Sequence, residues 1–305
     1  MSGPAEVERV YSAIEESARL LDVACSRDKI WPILSAYEET LAEAVIVFSM
    51  ANGSHAADLE FSISMPSGHG DPYAIALSND LTAKTDHPVG ALLSDIQERC
   101  PLGMYGIDGE VTDGFKKIYA FFPKDDLQGL SKLVDIPSMP RGVAENAGLF
   151  ARYGLDRVQM TSVDYKHRTA NLYFGNLSAE LLEPGTILSM LREMGLQEPG
   201  EQELEFAKRS FAIYPTLSWD SSRIERICFA VITTDPTILP ARSEPEITRF
   251  SKFANNAPYA YVGERRTLVY GLTLSPTEEY YKLGAYYQIS DLQRTLMKTF
   301  DALKD

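Results

Sequence analysis

The chain has 305 residues, 45% of them hydrophobic and 24% charged, which is the balance of a globular protein with a sizeable core and excludes disordered and fibrous classes. Lys and Arg total 29 against 43 Asp and Glu, a formal net charge of −14. A surface this acidic repels nucleic acid and anionic membrane, so any bound anion requires a local basic cluster working against the global field.

The first element in the chain is helical. Val7, Val10, Tyr11, Ile14, Ala18 and Leu21 recur at three- and four-residue steps, one face of a helix. A second helix is predicted from Asp28 to Glu43, with Ile30, Ile33, Leu34, Tyr37 and Leu41 inward and Pro32 placed in its first turn. The period then changes to two. Leu59, Phe61, Ile63 and Met65 alternate with Asp58, Glu60, Ser62 and Ser64, a strand with one apolar and one polar face. Ala44 to Met50 reads as its hairpin partner and, as the longest apolar stretch, is far short of the roughly 20 residues a membrane helix needs.

The same order recurs down the chain. Helical pattern in Pro88–Arg99 precedes strands at Met104–Ile107 and Phe115–Phe122. Gly142–Tyr153 precedes Arg157–Tyr165 and Thr169–Phe174. Leu181–Met194 precedes Ser210–Thr216 and Arg226–Thr233. Pro245–Phe253 precedes Thr267–Thr273 and Tyr280–Ile289. A capping box from Ser290 to Gln293 opens a final helix carrying Leu292, Leu296, Phe300 and Leu303. Consecutive hairpins favour an antiparallel sheet, and about ten strands must pack as two sheets or close. A single α+β domain over residues 1–305 is expected, an antiparallel barrel with a polar lumen inside a ring of helices. A parallel barrel would need strands apolar on both faces.

The polar faces carry the chemistry. They present Glu60 and Ser62; Lys117, Tyr119 and Phe121; Thr169, Asn171 and Tyr173; Ala212 and Tyr214; Arg226, Cys228 and Ala230; Val269 and Gly271; and Lys282, Gly284 and Tyr286. Taken singly, a strand Lys or Arg is most often a solvated edge. Converging in a closed barrel, Lys117, Arg226 and Lys282 would clamp a di- or tri-anionic head group, each contact at ~4 Å being worth on the order of 4 kcal/mol before desolvation. Aromatic rings beside them suit an apolar tail or a carbocation. An isoprenyl diphosphate has both parts.

The strings DGEVTDGFKKIYAFFP, ENAGLFARYGLDRVQMTSVDY, KRSFAIYPTLSW and APYAYVGERRTLVYGLTLSPTEEYYKLGAYYQ resemble the soluble aromatic prenyltransferases of the ABBA type, the NphB/CloQ family, from Val7 to the C-terminus. The resemblance implies a ten-stranded antiparallel barrel of ααββ units that moves a geranyl or related allylic group from its diphosphate onto an electron-rich aromatic ring such as a dihydroxynaphthalene. It places diphosphate contacts on Lys117, Thr169, Asn171, Tyr214, Arg226 and Lys282. The acceptor pocket falls on Ser49, Ser62, Tyr119, Phe121, Gln159, Phe211, Ala212, Ala230, Val269, Tyr286 and Gln293. It further implies magnesium, with Glu60 at a position where a family member carries an aspartate ligand; glutamate reaches one methylene further, so altered metal use is expected. His167 stands where that member has Lys, and Ala212 where it has Ser.

The implied reaction is an electrophilic aromatic substitution. Magnesium, Lys117, Arg226 and Lys282 stabilise the departing diphosphate, and Tyr119, Tyr214 and Tyr286 shelter the cation. No strong protein base is evident, and water is expected to suffice for the ring proton. The alternative is a non-catalytic barrel that carries lipophilic molecules, which would have no use for three lumen cations.

Other motifs are missing or weak. The DDxxD signature is absent, Asp125-Asp126 being expected to cap a helix, and GxGxxG, GxxxxGK, HExxH and GxSxG do not occur. His55, His69 and His87 have no ligand spacing, with His69 read as a loop residue, and the three cysteines, Cys25, Cys100 and Cys228, are too dispersed for a disulfide framework. Met1–Val10 lacks a signal-peptide pattern, so a cytoplasmic monomer without membrane or nucleic-acid partners is expected.

Overall fold

The computed structural model describes residues 3–239, 244–261 and 266–290. The elements follow the anticipated order. Helices α1 (Pro4–Leu21) and α2 (Arg27–Ala36) precede strands β1 (Ile46–Ala51) and β2 (Leu59–Pro66); α3 (Pro72–Ser78) and α4 (Val89–Arg99) precede β3 (Met104–Glu110) and β4 (Gly114–Phe121). The two-residue β5 (Gln128–Gly129), α5 (Leu130–Val134) and α6 (Arg141–Arg152) lead to β6 (Arg157–Asp164) and β7 (Thr169–Gly175). Then come α7 (Pro184–Met194), α8 (Glu201–Ala207), β8 (Ala212–Ser218) and β9 (Ile224–Thr233), and last α9 (Glu244–Asn256), β10 (Leu268–Leu274) and β11 (Glu279–Gln288). The expected C-terminal helix and Gln293 lie outside the described residues.

All the strands belong to one antiparallel sheet. β1 pairs with both β2 and β11, and β4 pairs with β6. The ten long strands therefore close into a ring, with β5 a short extension of β6. Closure removes every long edge from solvent. Along β2, Leu59, Phe61, Ile63 and Met65 are at most 1% exposed and face the helices, while Glu60, Ser62 and Ser64 face the lumen. Helix α2 lies so close that a Cβ on Gly109 would meet the Phe61 ring at 2.5 Å and Ile33 at 3.0 Å. The packed layer between barrel and helices is the core, each fully buried Phe or Ile there contributing roughly 1.5–3 kcal/mol.

Three local expectations are corrected. Helix α2 ends at Ala36 and continues only as a 3-10 turn, Glu38–Thr40. Pro32 is inside it rather than in its first turn, so the Asp28 carbonyl loses its N–H donor. Asp125-Asp126 lies in a turn, the Asp126 N–H bonding the Pro123 carbonyl at 2.9 Å, and caps no helix. The short helices α3, α5 and α8, of 7, 5 and 7 residues, give too few turns for a periodic signal. Helix α3 nevertheless carried a capping signature: Asp71 accepts the N–H groups of Tyr73 and Ala74, and Pro72 occupies the first helical position.

Candidate active site

Strand alternation aims one polar set into the ring, and the register gathers its charged members at one end. Lys117 is opposite Asp108 and Asp164; Asp164 is opposite Thr169; Thr216 is opposite Arg226; Thr273 is opposite Tyr280. The result is a cavity of about 220 Å³ whose wall includes Glu60, Lys117, Asn171, Tyr214, Arg226 and Lys282. Ser49 and Tyr119 line it too. The predicted clamp residues thus meet in one place, except that Thr169, buried at the start of β7, is not part of this wall.

The lysines are graded by how tightly carboxylates hold them. A β-bulge between Asp108 and Gly109 inserts Lys116 opposite no partner, so Lys116 and Lys117 both reach the lumen. Lys116 bonds Glu60 at 2.5 Å and Glu110 at 2.7 Å. Burial disfavours its charge, but the two carboxylates outweigh it and hold the ammonium above its usual range. Lys282 donates to the other oxygen of Glu60, and Lys166 joins Glu110 to Asp113. Glu60, although buried, is kept well below the ordinary carboxylate value by Lys282, Lys116 and Lys117. Lys117 is different. Its ion-pair partner is Asp164 at 3.6 Å, beyond hydrogen-bond reach, and desolvation pulls its ammonium downward. Arg226, a third exposed, has Glu225 only at 3.9 Å. These two are the cations most available to an incoming anion.

Aromatic rings form the next layer. Tyr173 stacks on Tyr214 with centroids 4.3 Å apart and meets Tyr119 edge-on at 6.0 Å. The Lys117 ammonium stands 5.8 Å from the Tyr119 ring centroid. The Tyr119 hydroxyl donates to Asp108 at 2.8 Å, and the Ser62 hydroxyl donates to the other Asp108 oxygen. Tyr286 packs against Tyr261 and Ile289 and is not among the residues lining this cavity, whereas Tyr173 is.

The remaining predicted acceptor residues lie along the lumen beyond the tyrosines. Phe121 follows Tyr119 with ring centroids 6.3 Å apart, Ala212 is opposite Ala230, and Val269 is opposite Gly284. The Phe211 N–H bonds the Ala230 carbonyl at 2.9 Å. Gln159 fills the space left by the missing side chain of Gly175. His167 turns to Asp164, with Nδ1 3.2 Å from the carboxylate, and its backbone N–H donates there at 2.8 Å.

The magnesium expectation does not fit these side chains. Both Glu60 oxygens carry ammonium groups, both Asp108 oxygens carry hydroxyl donors, and both Glu110 oxygens carry lysines. Magnesium requires an octahedral oxygen shell, which lysines at the same atoms oppose. No group of three or more metal-ligating side chains occurs among the described residues. Two fixed lysine charges stand where the cation was expected.

Lys116, Glu110, Asp108 and Tyr173 were not singled out from sequence for a site. Tyr173 was on a predicted lumen face. The strand predicted over Met104–Ile107 stops short of Asp108 and Glu110, although GIDGE continues the alternation through both.

Known proteins supply an independent comparison. The model of the family "Aromatic prenyltransferase Orf2" matches residues 5–298. The chain is 48% identical to a 5,10-dihydrophenazine-1-carboxylate 9-dimethylallyltransferase of Streptomyces anulatus, covering 94% of this chain and 95% of that one. It is 46% identical to a flaviolin linalyltransferase of Streptomyces virginiae, over 94% of each chain. It is 44% identical to a furaquinocin biosynthesis prenyltransferase of Streptomyces sp. strain KO-3988, over 95% and 92%. The fold matches the crystal structure of prenyltransferase PriB in its apo form with a TM-score of 0.52 at 12% identity, covering 93% and 98% of the two chains.

Proposed function

This chain belongs to the aromatic prenyltransferase Orf2 family, and from that premise we propose that it transfers a geranyl or related allylic group to an electron-rich, dihydroxynaphthalene-type aromatic acceptor. It is a prenyl transferase of secondary metabolism that uses a prenyl diphosphate donor and an aromatic acceptor. The observation that carries the finer reading is the loosely paired Lys117 and Arg226 facing the Tyr119–Tyr173–Tyr214 layer across one cavity.

In the proposed reaction the diphosphate displaces carboxylates from Lys117, Arg226 and Lys282, with Asn171 and Tyr214 at its edge. The lysine and arginine charges stabilise the negative charge that grows as the C–O bond ionises. Tyr119, Tyr173 and Tyr214 cover the allylic cation and keep water from trapping it as the alcohol. The acceptor lies beyond them, against Phe121, Gln159, Phe211, Ala212, Ala230, Val269 and Tyr286, and reaches back to Ser49 and Ser62 at the level of the clamp. No described helix is long and apolar enough to cross a membrane, and the closed ring has no long edge for strand pairing between copies. Action as a cytoplasmic monomer is part of the proposal.

Incubation with geranyl or dimethylallyl diphosphate and 1,6-dihydroxynaphthalene, reading prenylated product and free diphosphate, tests the function; neither product forming would remove it. Because lysines occupy the Glu60 carboxylate, turnover is expected to persist in excess EDTA. Loss of turnover that magnesium alone restores would return the metal to the site.

A further inference from the structure

The lumen holds one carboxylate unlike the others. Glu60, Glu110 and Asp164 each have a lysine within ion-pair distance and Asp58 has His55, whereas Asp108 has no cationic side chain within that distance among the described residues. Asp108 is 1% exposed, on the lumen face of β3 opposite Lys117 of β4 and Ser62 of β2. Its oxygens receive the hydroxyl protons of Ser62 and Tyr119. Those hydroxyls, having spent their protons on Asp108, turn oxygen lone pairs away from it. An acceptor phenol docking on either hydroxyl must therefore act as the donor.

We propose that Asp108 is the terminal proton acceptor of the transfer reaction, receiving through the Ser62 or Tyr119 hydroxyl the proton that the aromatic acceptor loses. The inference rests on the prenyl-transfer reading and deepens it. The bond between the ring carbon and the allylic carbon forms with the electrons of the aromatic system, and the C–O bond to diphosphate breaks with its pair staying on diphosphate. The phenol O–H proton moves to the Ser62 or Tyr119 oxygen as that hydroxyl's own proton moves to Asp108. This leaves a neutral dienone and a neutral Asp108. The hydrogen on the prenylated carbon then exchanges through water onto the carbonyl oxygen, restoring the aromatic ring, and Asp108 returns its proton to the released diphosphate or to solvent.

The surroundings suit this role. Glu60 from β2, Lys117 and Tyr119 from β4, Tyr173 from β7 and Lys282 from β11 are the titratable groups around Asp108. Burial and Glu60 outweigh the lysines and raise the carboxyl above its ordinary range, towards the pH at which a base works best. The other candidates are engaged. Glu60 and Glu110 are held by lysines, and His167 is at the clamp end on Asp164.

The test is Asp108→Asn in the full chain, assayed with phenolic acceptors of increasing acidity, reading product and free diphosphate separately. With an acceptor that is neutral at the assay pH, product formation is expected to fall about 10²-fold, while diphosphate release through hydrolysis continues. With an acceptor already ionised at that pH, the loss should largely disappear. An equal loss at every acidity, or none, overturns the proposal. Should the variant not fold, the unmodified enzyme decides. Its turnover should show an acid limb above the usual carboxylate range with neutral phenols and not with acidic ones; a shared or missing limb overturns the assignment. If the unmodified enzyme releases no diphosphate from any donor, the prenyl-transfer reading itself fails.

Discussion

Lys117→Ala is expected to lower turnover by about 10²- to 10³-fold while leaving acceptor affinity unchanged. Lys117 is the buried cation least neutralised by its neighbours, with Asp164 3.6 Å away, so its charge is the one most free to follow charge onto the leaving group. In the proposed reaction the acceptor packs past the tyrosines and does not depend on that ammonium. The variant should still fold, because Asp164 keeps the His167 backbone N–H at 2.8 Å and ring nitrogen at 3.2 Å. Single-turnover rates and acceptor titration separate the two effects. Parallel losses in both would contradict a role confined to the diphosphate.

Glu60→Gln should cost stability, by about 3–5 kcal/mol, because it leaves the ammonium groups of Lys116 and Lys282 without the carboxylate between them. The sign of the pH dependence follows from the depressed carboxyl. Its stabilisation is complete above its ordinary value of 4.5 and is lost as the pH falls through the lower folded value, so the gap between parent and variant should narrow on acidification. In the proposed reaction diphosphate oxygens replace Glu60 on Lys282. Inorganic diphosphate should therefore raise the melting temperature of the variant more than that of the parent. Denaturant melts across pH, with and without diphosphate, check both statements, and equal diphosphate shifts would argue that Glu60 and the anion do not compete.

Much of this barrel could be read in advance because β-alternation is a local property. Leu59 to Met65 had to put Glu60 and Ser62 on the face opposite Phe61 and Ile63, whatever the strand paired with. Lys117 and Tyr119, Asn171 and Tyr173, and Arg226 and Cys228 follow from the same spacing. Where alternation breaks, local reading broke with it. Lys116 reaches the lumen only because a bulge opposite Asp108 and Gly109 offsets the strand, and a bulge depends on the partner strand.

The sequence alone therefore determined the element order, the antiparallel hairpins and which side chains share the polar face, since each follows from periodicity within a few residues. What it could not supply was the state of those side chains. Glu60 is held by lysines 56 and 222 residues away, and Asp108 is left to two hydroxyls. Tyr286 packs against Tyr261 and is not among the residues lining the cavity. Ring closure through β4 and β6 sets those distances, and charge pairing falls off with distance, so only the tertiary structure decided which cation is free to bind an anion and which carboxylate is free to take a proton.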